Sequence, residues 1–242
     1  MERIGHVGKI MRYPVKSFSG EAVQSTRVMD YGIYGDRSHV ITEKIRHRYL
    51  TITHFQGMVK YKAAFTGGEC PDDHYPPVKI IGPDNRSYDW EDEEWREELS
   101  KQSKKPLSFK KYDPLHVPIG AIEEENLLIV TDASLKKISE LTGRDAINEQ
   151  RFRPNLQLEL LNQMPFIEEE WFSKRLQIGK EVEIEIKRHC ERCMIITVDP
   201  ETGERDANVH KQVITQRNNH FGVYASIVKT GTISAGDEVW LE

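Results

Sequence analysis

Apolar and polar positions along the chain alternate over short stretches in most places, and turn residues separate those stretches. Residues 4–13 are apolar enough for a strand, and Pro14 with the Ser17-Phe18-Ser19-Gly20 stretch marks a turn after it. Further strands are expected at 22–30, 38–42 and 49–53, the first two separated by the glycine-rich run Tyr31 to Gly35. Residues 59–65 can pair with 78–81 across a polar loop that carries Gly67, Gly68, Pro71 and Pro76. No strand in this half alternates with a helical segment, so a small antiparallel sheet or barrel fits better than a parallel βαβ sheet. Residues 89–104 change character: Trp95 and Leu99 stand four apart among Glu, Lys and Arg, which predicts a short surface helix with one apolar edge and a solvated charged face.

Residues 108–120, with Pro114 and Pro118, read as a connection between halves. Thr131 or Asp132 can then cap a helix whose stripe of Leu135, Ile138 and Leu141 stops at Gly143. More strands are expected at 155–161, 181–187, 195–199, 221–229 and 238–241. In 181–187, Val182, Ile184 and Ile186 alternate with charges, the pattern of a half-buried strand. The fold class is mainly β (α+β), with barrel-like cores and a few short helices.

Composition narrows the function. A chain of 242 residues can bury a real core, and 38% apolar with 30% charged residues suits a globular protein. A net charge of -5 argues against a general nucleic-acid binder. No apolar run has the length of a membrane helix, and Met1 to His6 resembles neither a signal nor a transit peptide, so the expected location is cytoplasmic with no membrane partner. Three cysteines make no disulfide framework, which points to a reducing compartment.

Candidate chemistry concentrates at His189-Cys190-Glu191-Arg192-Cys193, directly after the alternating strand. A thiolate there, beside Arg188 and Arg192, is stabilised by positive charge and suits metal ligation or nucleophilic chemistry. The plain alternative is that one or both cysteines are small buried apolar residues. Zinc is a further reading, since Cys70, His74 and His189 could complete a set with the pair, but Cys70-x-x-x-His74 is a loose match to a second ligand pair. A thioredoxin-like site would need a strand–helix setting that the residues after Cys193 do not offer. Cations and hydroxyls also recur beside turns, at Lys16-Ser17, at Arg37 and at Arg151 to Asn155, and such groups can hold a phosphate. There is no P-loop, no G-x-G-x-x-G, no G-x-S-x-G and no H-E-x-x-H.

Four blocks in this order resemble the MOSC family, named after the C-terminal domain of molybdenum cofactor sulfurase. They are most similar to its members with an N-terminal β-barrel part, of the amidoxime-reducing component type. The blocks are Tyr13-Pro14-Val15-Lys16-Ser17, Gly35-Asp36-Arg37, Phe152-Arg153-Pro154-Asn155, and the long run Arg192-Cys193 to Thr202-Gly203; the ending, from Phe221 to Val239, fits as well. The resemblance implies an N-terminal β-barrel-like domain over residues 1–112 and a MOSC domain over 113–242. It implies that Cys193 ligates molybdenum and, with Asp199, forms the catalytic set. It implies that Lys16, Ser17, Arg37, Thr131, Ser134, Arg153, Asn155 and Arg192 hold the molybdenum cofactor (Mo-molybdopterin), Lys16, Ser17 and Arg37 near its phosphate. Ile196 stands where close relatives have a Thr, which bears on substrate range, and Phe18 where many have Cys or a small residue.

A soft thiolate suits molybdenum bound to a dithiolene, and cations suit a phosphate. The expected activity is removal of oxygen from a small N-hydroxylated substrate. The chain has no flavin, haem or iron–sulfur signature, so electrons would come from a separate donor protein. The alternative is a non-catalytic carrier of sulfur or cofactor, with a persulfide on Cys193.

Overall fold

A computed structural model describes residues 1–71 and 73–242. Seven strands close on themselves: β1 (Glu2–Arg12), β2 (Leu127–Thr131), β3 (Leu156–Leu160), β4 (Arg175–Ile178), β5 (Val182–Glu191), β6 (His220–Lys229) and β7 (Glu238–Leu241). Around the ring they run β1-β3-β2-β6-β5-β4-β7 and back to β1. Every neighbouring pair is antiparallel except β2–β3. The expected alternation holds in β5, where Val182, Ile184 and Ile186 are fully buried between Glu183, Glu185 and Lys187. They meet Val7, Leu158, Val223 and Val239 in the barrel core, which side chains fill as they do in small barrels. Closure leaves these strands no free edge. β1 is the closing strand, pairing with β3 on one side and β7 on the other. The barrel therefore takes one strand from before residue 112 and six from after it.

A second core gathers residues 15–107 and adds Val198. Its sheets are the pair His39–Glu43 with Leu107–Lys111, and the three strands Lys62–Phe65, Val78–Ile81 and Ser87–Asp89, whose first two pair as their patterns predicted. Helix α1 (Glu93–Ser103) buries Trp95 and Leu99 completely. Phe18 stacks on Tyr61 at 5.1 Å and packs edge-on against Trp95. After the short α2 (Ile119–Ile122), helices α3 (Asp132–Thr142) and α4 (Ala207–Arg217) cover a third cluster around Phe152, Ile196 and Phe221.

The structure departs from the sequence pattern in several places. Residues 108–120, read as a connection between halves, begin with strand Leu107–Lys111, which the pairing with His39–Glu43 holds extended, and end in α2. Residues 195–199 form no strand: Met194–Thr197 is a single 3-10 turn. Arg151 takes the carbonyls of Ile196 and Thr197, both at 3.1 Å, so these need no neighbouring strand. Residues 49–53 make only one bridge, Thr42 to Tyr49, and then turn, the Thr51 carbonyl accepting from His54 and Phe55. Helix α4 has no apolar stripe to announce it, because it buries only Val209 and Val213. Strand β4 escapes notice through its brevity.

Gly5 of β1 lies on the seam with β3, where a Cβ would run into the Glu159 carbonyl. Gly5→Ala should cost about 1–3 kcal/mol, the usual penalty for forcing a methyl into a filled site. It would be read as a lower Tm, while Gly120→Ala, with nothing within 4 Å of its added methyl, leaves the Tm unchanged or raised.

Candidate functional site

Among the ten described residues with side chains that adopt the left-handed backbone normally left to glycine are Ser17 (φ 73°), Arg37 (φ 50°) and Arg153 (φ 58°). Each of these three lies in one of the short sequence blocks, and all three meet at one cavity of about 220 Å³. Lys16 and Ser17 come from the turn after β1, Arg37 from the turn before strand His39–Glu43, and Arg153 and Asn155 from the segment entering β3. The end of β5 and the residues beyond it supply Cys190, Arg192 and Cys193. The cavity thus draws on both the barrel and the N-terminal core.

Hydrogen bonding fixes the cationic wall. Arg37 pairs with Asp36, whose carboxylate also accepts from the Tyr13 amide and the Asn155 side chain. Asn155 in turn accepts from the Leu128 amide at 3.1 Å, which pins the start of β3 to β2. The guanidinium carbons of Arg37 and Arg153 lie 4.7 and 4.3 Å from the centre of the Tyr13 ring. Arg153 donates Nη1 to the Phe18 carbonyl, and its Nη2 is buried without a partner. Burial, and then the nearby Arg37 charge, lower the Arg153 pKa to about 10. Lys16 donates to the Ala121 carbonyl at 2.8 Å and pairs with Glu123 at 3.3 Å; burial depresses its pKa, and Glu123 only partly opposes this.

The thiols differ. Cys193 is exposed, whereas Cys190 is buried and accepts from Arg192 Nη1 at 2.7 Å. Arg192 also donates to the Phe152 carbonyl at 2.7 Å, and its Nε is buried without a partner. Among the described residues neither Arg153 nor Arg192 has a carboxylate partner. Two buried donors on cavity-lining arginines and a free thiol at the same cavity are a donor set for an anionic, metal-bearing ligand. No three His, Cys, Asp or Glu side chains among the described residues are arranged to hold a metal by themselves, and Cys70 does not line this cavity.

Of the residues singled out from sequence, Lys16, Ser17, Arg37, Arg153, Asn155, Arg192 and Cys193 line the cavity. Thr131, Ser134 and Asp199 do not. Thr131 caps α3, accepting from the Ser134 amide, and the hydroxyls of Thr131 and Ser134 lie 3.1 and 2.9 Å from the buried Glu168 carboxylate. Asp199 pairs with Arg151 at 2.8 Å and accepts from the amides of Glu201 and Thr202, shaping a turn. Sequence reasoning missed Glu123, Glu125, Thr51, Thr53 and Tyr224 as lining residues. A signal existed for Thr51 and Thr53, two positions apart in an extended pattern; the glutamates carried none.

The MOSC domain profile matches residues 107–240, more than half of the chain. The chain belongs to the MOSC family. Over 99% of its length it is 24% identical to mitochondrial amidoxime reducing component 2 of Macaca fascicularis, covering 84% of that protein. Molybdenum cofactor sulfurase of Bombyx mori is 28% identical over 137 residues, which span 53% of this MOSC chain but 16% of the sulfurase. The fold is shared with the YUAD protein from Bacillus subtilis, at a TM-score of 0.52 and 12% identity, with 98% of this chain and 95% of that one covered. Among the described residues no helix is long and apolar enough to cross a membrane.

Glu168 gives a pH test. Burial raises its pKa, and the Ser134 and Thr131 hydroxyls offset this only in part. A carboxyl whose folded pKa is raised binds its proton more tightly in the folded state. Its contribution is full below the ordinary glutamate pKa of about 4.3 and is lost as pH rises through the folded value. Glu168→Gln should remove this decline and flatten urea-melt stability above about pH 4.3.

Proposed function

We propose that this protein is a molybdenum-cofactor-binding oxidoreductase that removes oxygen from a small N-hydroxylated substrate. The observation that carries this reading is the cavity itself: an exposed Cys193 thiol beside buried arginine donors that have no carboxylate. The relatives named for amidoxime reduction and for the molybdenum cofactor support the same direction.

The residues present fit such a cofactor. Cys193 would ligate the metal, and Lys16, Arg153 and Arg192 would hold the anionic part, with Ser17, Arg37 and Asn155 beside them. When bound, the cofactor supplies the two-electron removal of an oxygen atom. The chain's own part is binding and orientation. Arg153 Nη2 and Arg192 Nε offer donors already desolvated, so an anion gains charge-assisted hydrogen bonds without further loss of water from the arginines. Asp36 and Asn155 hold Arg37 in place so that its guanidinium does not turn away. Electrons would reach the site from a separate donor protein.

Molybdenum and pterin should be measured in protein purified from cofactor-making cells. One molybdenum per chain, reduced at least about tenfold in Cys193→Ala, supports the reading. Metal absent from both forms, with persulfide on Cys193, would instead identify a sulfur carrier. Arg153→Met should lose the cofactor while leaving the Tm of the cofactor-free protein unchanged or higher, because it removes a buried charge that has no counter-ion. A lower Tm would show that Arg153 is held for stability instead.

A further inference from the structure

We infer that His210, on α4, is a positioning residue for the Cys193 thiol; this rests on the reading of Cys193 as the functional ligand. Its imidazole Nε2 lies 3.1 Å from the Arg192 carbonyl, the carbonyl of the peptide bond that leads into Cys193, and 3.0 Å from Asn219 Oδ1. With its proton on Nε2, the ring donates to both oxygens. The Arg192 amide donates to the Asn219 carbonyl at 2.8 Å, so both polar groups of the Arg192 backbone are held from outside β5.

The local sequence explains how the clamp is built. Asn218 and Asn219 both take left-handed backbone (φ 50° and 65°), which asparagine tolerates better than most residues with a side chain. They end α4 and turn the chain into β6, bringing the Asn219 carbonyl to Arg192 and its side chain to His210. Beyond that point Cys193 caps the 3-10 turn, its carbonyl accepting from the Ile196 amide at 3.3 Å, so the His210 bond and that turn hold the backbone on either side of the thiol. Cys193 side-chain burial is slight, and Met194 is about half exposed. The Arg192 side chain is fixed separately, through Cys190 and Phe152. His210 therefore acts on the backbone that aims the thiol, without touching the cavity.

The test uses His210→Ala and His210→Gln, because a glutamine amide nitrogen can reach where Nε2 sits. In cofactor-free protein, amide hydrogen exchange at Arg192, whose amide bonds the Asn219 carbonyl, should quicken about three- to tenfold in His210→Ala, as expected for loss of one hydrogen bond in the clamp, and return toward wild type in His210→Gln. In cofactor-loaded protein, molybdenum should leave His210→Ala faster on dialysis, with His210→Gln again rescued. Unchanged exchange in His210→Ala overturns the inference. Equal defects in both variants also overturn it, since they mark simple packing. If exchange behaves as expected while no form binds molybdenum, the clamp stands and the cofactor reading fails.

Discussion

The carboxylate of Asp36, which is 1% exposed, joins the two cores of this protein. One oxygen accepts from the Tyr13 amide at the end of β1, and the other faces Arg37 and the Asn155 side chain at the start of β3. A buried carboxylate without such partners would be costly, and one with three of them holds the groups around it in a fixed arrangement. Tyr13, Arg37 and Asn155 belong to three separate sequence blocks, and the cavity forms where Asp36 brings those blocks together. The left-handed turn at Arg37 persists because this network, with the Arg37 amide bonded to the Tyr13 carbonyl at 2.7 Å, over-determines it.

Glu123, Glu125 and Glu191 line the cavity together with its four cations, yet two of those cations have no carboxylate partner among the described residues. Asp36 serves Arg37, and Glu123 reaches Lys16 from a largely exposed position, but Arg153 and Arg192 have only carbonyls and a sulfur. Protein stability alone would not favour two buried guanidiniums so arranged. Under the proposed reading an anionic ligand would supply the partner that these two arginines lack. The exposed Cys193 beside them has the same character.

Much of this was legible in the chain, for identifiable reasons. The alternation in β5 and the four-residue spacing of Trp95 and Leu99 record a buried face directly, and both elements stand where they were expected. Charge beside turn residues and the C-x-x-C pair marked Lys16, Arg37, Arg153 and Cys193 only as candidates; the resemblance to the MOSC family joined them into one site, and they line one cavity. Thr131 and Ser134 misled because a hydroxyl at a helix start serves a cap as well as it serves a ligand. Their partner Glu168 lies 34 or more residues away, and no local pattern announces such a contact. The stretch after Cys193 misled for a similar reason: its apolar run reads as strand, and only a distant arginine decides otherwise.

Seven is an odd number, and strand direction around a closed ring obeys parity. Neighbours that all ran opposite ways would need an even count, so a ring of seven must contain at least one pair that runs the same way. Here that pair is β2 and β3. Same-direction neighbours cannot be joined by a hairpin; the chain must return to its starting end, and it does so through residues 132–155, with α3 on the way. The last steps of that return carry Arg153 and Asn155 to the cavity. An eight-strand ring could be stitched with hairpins throughout and would require no such return path, so arithmetic in the barrel creates the segment on which part of the cationic wall is built.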